Sequence, residues 1–160
     1  MQTKSNVWKI KKGAKITLEE GINEAYLRFV VEIKKDGDRV AFSKQQLENA
    51  KKVFVDSILK PIGQNFDIDG LKNMAVNNLK GSDKTGCLKL EIQIASSDNT
   101  SLNITRGLSI RWLGKVMKTI AIEDLPNVAG KTQEQLFAEF KSGMEKIANN
   151  SVSALAPIAN

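Results

Sequence analysis

A chain of 160 residues, 41% hydrophobic and 26% charged, has the composition of one globular domain, which excludes a disordered or fibrous class. Its formal net charge is +6 and it contains no histidine, so the side chain that serves most hydrolytic triads and zinc sites is missing. No run of about 20 apolar residues is present to span a membrane, residues 1–15 hold five lysines and no apolar signal stretch, and the lone cysteine, Cys87, has no partner for an intrachain disulfide, so a soluble cytoplasmic protein is expected.

Alternating apolar and polar residues predict strands over 7–18 and 25–33. Lys35-Asp36-Gly37-Asp38 reads as a tight hairpin turn into a further strand over 39–42. Ser43 is the expected N-cap of a helix over 45–59 that ends at Pro61 and Gly63. A shorter helix follows Asp69, runs to about Leu79 and closes at Gly81. After a polar loop over 82–86, Leu88, Leu90, Ile92 and Ile94 alternate with Lys89, Glu91 and Gln93, the pattern of a half-buried antiparallel strand. Strands are expected over 101–112 and 116–122, with Gly107 as a candidate bulge and Leu113-Gly114 as a turn. Leu136, Phe137, Phe140, Met144 and Ile147 then repeat at helical spacing to about Asn149. The order lacks βαβ alternation, so an α+β fold is predicted: an antiparallel sheet with about three helices on one face. Residues 1–150 form the expected domain, and 151–160 a flexible or partner-docking tail.

Three local motifs look chemical and have simpler readings. Gly130-Lys131-Thr132 lacks the upstream glycine of a phosphate loop, Leu125 standing in its place, and Thr132 with Gln135 reads as a capping box. Asp67-Ile68-Asp69-Gly70 departs from a calcium loop because Lys72 and Asn78 replace its glycine and glutamate, leaving Asp69 as a helix cap. Cys87 falls on the polar side of its strand with no base nearby in sequence, and is read as incidental.

Charge remains. Residues 1–60 carry thirteen basic and eight acidic side chains, and two stretches without acids each contain a tryptophan: 1–18 with Lys9, Lys11, Lys12 and Lys15, and 101–122 with Arg106, Arg111, Lys115 and Lys118. Alternation sets Trp8 with Ile10 and Trp112 with Ile110 as core anchors, which turns the cations to a solvent-facing side of the sheet. If the two stretches are neighbours, these eight residues form a basic patch that neutralises phosphates without reading sequence. No catalytic, cofactor or metal constellation is found. The expectation is a non-enzymatic, self-assembling structural protein, such as a viral or phage shell component with a basic nucleic-acid-facing sheet. The alternative is a sequence-tolerant nucleic-acid-binding accessory protein. Its partners would be copies of itself and nucleic acid, not a membrane, and it would lie in the cytoplasm or a virus particle.

Overall fold

The computed structural model describes residues 4–35, 40–126 and 128–159. Its centre is a six-stranded antiparallel sheet: β1 (Lys4–Lys11), β2 (Ala14–Glu20), β3 (Tyr26–Lys34), β4 (Cys87–Ala95), β5 (Gly107–Trp112) and β6 (Lys115–Ile120), in the spatial order β1-β2-β3-β4-β5-β6. Helices α1 (Lys44–Phe54), α2 (Lys60–Asn65), α3 (Asp69–Lys72) and α4 (Gln133–Leu155) complete the α+β fold. The expected strand over 7–18 is a hairpin turning at Lys12-Gly13, because Lys9 pairs with Lys15 and Trp8 with Ile16. Of the expected turn and strand over 35–42, residues 36–39 lie outside the described residues. Residues 40–42 form no strand: the Lys35 N–H is taken by Gly86 O, that of Phe42 by Asp83, and β3 pairs with β2 and β4.

Side-chain alternation divides the sheet into two faces. One row runs across it as Trp8, Ile16, Val31, Leu90 and Trp112, and the next as Leu18, Phe29, Ile92 and Ile110; these face the helices. Both tryptophans therefore stand in one row on the core side. Trp112 is 2% exposed and meets Phe54 edge-on at 5.3 Å, whereas Trp8 is half-buried and donates from Nε1 to Asn149 Oδ1 at 2.7 Å. They belong to two hairpins, β1–β2 and β5–β6, that turn at the same end of the sheet.

Four helix boundaries depart from expectation. Helix α1 opens with Ser43 and Gln46 in a capping box, but the chain passes through a π-helical turn (Val55–Leu59) into α2, so Pro61 and Gly63 sit inside helical structure. Pro61 has no N–H, and the Ser57 carbonyl four residues before it lies 3.2 Å from Ser151 Oγ instead. Helix α3 stops at Lys72, followed only by a 3₁₀ turn (Val76–Asn78), and its N-cap is Ile68 while Asp69 is the first helical residue. The segment expected as a loose tail continues α4, with Ser151 and Leu155 buried, and ends in a 3₁₀ turn (Ala156–Ala159).

The expected strand over 101–112 begins only at Gly107, after a 3₁₀ turn (Thr100–Leu102), and β6 ends at Ile120. Gly107 is not a bulge. It has φ +106°, and a Cβ there would lie 2.2 Å from Ile120 O, so only glycine permits this approach of β5 to the end of β6. The bulge lies further along, where Ile110 pairs with Lys118 and Arg111 with Val116, leaving Met117 as the extra residue. Leu113 and Gly114 both have positive φ, 52° and 82°, as a type I′ hairpin turn requires.

Candidate nucleic-acid interface

The β1–β2 turn, the end of β3, the start of β4 and the β5–β6 turn all lie at one end of the sheet, which follows from the strand order. That end is rich in lysine. On the face away from the helices, Lys9, Lys15, Glu32 and Lys89 form one cross-strand row over β1 to β4, spanning about 14 Å at the usual strand spacing. Beside it lies a depression of 620 Å³ walled by Lys9, Lys11, Lys12, Lys15, Lys34 and Glu32.

Two further clefts adjoin the β5–β6 turn. One, of 530 Å³, lies between that turn and the loop over 80–87, walled by Lys80, Lys84, Lys89 and Lys115 with Asp83. The other, of 480 Å³, opens on the helix side of β6 against α3 and the 3₁₀ turn after it, and holds Lys80, Lys115 and Lys118. Lys9, Lys15, Lys80, Lys84, Lys89, Lys115 and Lys118 form no salt bridge among the described residues.

Both acids among the described residues at this end are committed. Glu32 lies 4.0 Å from Lys34 Nζ. Asp83 accepts backbone N–H bonds from Phe42 at 2.6 Å and from Thr85 and Gly86 at 3.0 Å. Burial pushes its pKa up, but these bonds together with one from the Cys87 backbone outweigh burial and hold the carboxyl below its ordinary value. Cys87 is half-buried in the 530 Å³ cleft, and its thiol is pushed up by burial first and by Glu32 second, which disfavours a reactive thiolate.

The structure divides the eight expected phosphate contacts. Lys9, Lys11, Lys12 and Lys15 gather around the β1–β2 turn, and Lys115 lies at the same end of the sheet. The two stretches are not neighbours, however: β1 and β6 are the opposite edges. Lys115 and Lys118 also lie on the helix side, in the rows of Trp112 and Ile110, because the extra Met117 shifts the alternation of β6. Arg106 is at the far end of the sheet and is paired with Glu123. Arg111 does share the outer face with Lys9, but its guanidinium donates to Asn103 O at 3.1 Å, while that of Arg28 donates to Leu102 O at 3.0 Å and pairs with Glu91 at 2.9 Å. The two arginines hold the loop over 96–106 against the sheet. Lys80, Lys84 and Lys89 were missed; alternation in β4 already placed Lys89 on the polar side, whereas the loop lysines carry no periodic signal.

The other motifs resolve locally. Thr132 and Gln135 exchange both capping-box bonds, at 3.1 and 2.9 Å, and Lys131 pairs with Glu139 at 2.6 Å. Lys72 bridges Asp67 and Asp69. Among the described residues, no group of three Asp, Glu, Cys or His side chains is placed to hold a metal ion, and no helix is long and apolar enough to cross a membrane. No protein-family model matches the chain, and no curated protein or solved structure matches it either.

Proposed function

We propose that this chain is a non-enzymatic, sequence-tolerant nucleic-acid-binding accessory protein that holds phosphates on the lysine-rich end of its sheet. The observation that carries the reading is the cross-strand row Lys9, Lys15 and Lys89, continued around the end by Lys80, Lys84 and Lys115, none of them in a salt bridge among the described residues. Unpaired ammonium groups several ångströms apart, with no fixed hydrogen-bonding frame, suit a phosphate backbone more than a base edge. Such a role belongs in the cytoplasm.

Fluorescence anisotropy of a labelled single-stranded oligonucleotide, titrated at several salt concentrations, tests the reading. If each of these lysines neutralises one phosphate, log K falls against log salt with a slope of about −4. Lys9→Glu with Lys15→Glu and Lys89→Glu should weaken binding by more than tenfold, whereas Lys146→Glu, on the exposed side of α4, should not. No binding at low salt would end the proposal.

Self-assembly, as in a viral or phage shell, is the second reading. It is favoured by Val7 and Val116, 53% and 55% exposed, on the two edge strands. Against it, both edges carry lysines, Lys4, Lys9 and Lys11 on β1 and Lys115 and Lys118 on β6, which oppose edge-to-edge pairing. Light scattering after size exclusion separates the two: a discrete large particle without nucleic acid supports assembly, in which case the protein belongs in a virus particle.

A further inference from the structure

The 480 Å³ cleft under β6 differs from the other two lysine-lined depressions in having methionine on its floor. Met74, Met117 and Trp112 form that floor, and Lys80, Lys115 and Lys118 stand around it. Trp112 is 2% exposed, and its Nε1 is buried without a hydrogen-bond partner. A buried indole N–H without an acceptor is costly, so an incoming polar group that reached it would be rewarded.

The local chain builds this cleft. The bulge at Met117 turns Lys118 from the outer face to the helix side, into the row of Ile110. Gly70 on α3 then leaves room for its head group, since a Cβ at Gly70 would lie 2.9 Å from Lys118 Nζ. The volume lies within the roughly 300–1,000 Å³ of small-molecule sites. Polarizable methionine surface beside an indole suits a flat aromatic ring, and ammonium groups at the rim suit the phosphate attached to it.

We infer that the cleft under β6 takes one unstacked nucleotide of the bound strand, its base over Met74 and Met117 and its phosphate among Lys80, Lys115 and Lys118. This inference rests on the phosphate-binding reading and deepens it. A paired base cannot leave a duplex without loss of its stacking and pairing, so the cleft gives the protein a preference for single strands.

The test uses the full chain with Trp8→Phe, which leaves Trp112 as the only tryptophan. Short oligothymidylate, an abasic strand of equal length and a duplex of equal length are titrated separately, with Trp112 emission and anisotropy read together. The single strand should bind about tenfold more tightly than the abasic strand, as expected for one base contact, and it alone should shift Trp112 emission. Met117→Ala should erase the difference between the two strands. Gly70→Ala, a change that favours an exposed helix, should displace the Lys118 ammonium and weaken the single strand severalfold with the fold intact.

Equal binding of normal and abasic strands with unmoved Trp112 emission would overturn the cleft inference and leave the lysine surface standing. No binding of any strand would remove both. A Trp112 shift with thymidine monophosphate alone, while no strand binds, would make the cleft a small-molecule site and overturn its assignment to a strand.

Discussion

Tyr26 is 7% exposed, and its hydroxyl donates to Glu19 Oε1 at 2.5 Å. Burial first, then that bond and the Glu19 charge, push its pKa from 10.0 up to about 12. The folded state therefore favours the neutral phenol, and the stability it contributes is full below pH 10.0 and lost as pH rises toward about 12. Because Tyr26 is the only tyrosine, absorbance at the phenolate band should show one transition near pH 12; Glu19→Gln should lower it while burial keeps it above 10.0. Gly107→Ala should cost about 3 kcal/mol in chemical denaturation, since its Cβ meets backbone that cannot rotate away. The side of the sheet taken by each β1 residue was legible from alternation, as Trp8 and Lys9 illustrate. The side taken by Lys118 was not, because one extra residue in β6 reverses parity and leaves no mark in the sequence.

Capping residues were the most readable feature of the helices. Ser43 and Gln46, and Thr132 and Gln135, satisfy their orphan N–H groups within four residues of chain, so the signal is local. Where helices end depended on distant partners. Proline at position 61 reads as a stop, yet the π-helical turn before it accommodates the ring, and Ser151 supplies a hydroxyl beside the bared Ser57 carbonyl. Ser151 Oγ is also 2.6 Å from Ile147 O, so its single proton is shared between a carbonyl of its own helix and that of Ser57. Ser151→Ala should therefore lower unfolding free energy by about 1 kcal/mol, whereas Ser153→Ala, on the exposed side of α4, should change it by less than about 0.5 kcal/mol. Asp83 plays a comparable part for the loop over 80–87. Its carboxyl is held below the ordinary value, so the attachment of that loop to Phe42 persists above the ordinary carboxylate range and weakens as acid protonates Asp83.

Across the whole molecule, charge is separated along the strands. Lysines crowd the end that holds the β1–β2 and β5–β6 turns, while Glu19, Glu20, Glu123 and Asp124 lie toward the other, with Lys141 and Arg106 drawn into pairs there. The sequence showed two basic stretches but not their separation, because position within a sheet depends on strand order rather than on composition. The strand order carries a kinetic consequence as well. Every sheet neighbour is also a neighbour along the chain, joined by a short turn or loop, except β3 and β4, between which the whole of residues 35–86 intervenes. Two three-stranded units can thus form early from local contacts, and the search that limits the rate is closure of that long segment to join Phe29 to Ile92. In stopped-flow refolding, Phe29→Leu and Ile92→Val should slow folding, whereas Ile120→Val at the far edge should chiefly speed unfolding.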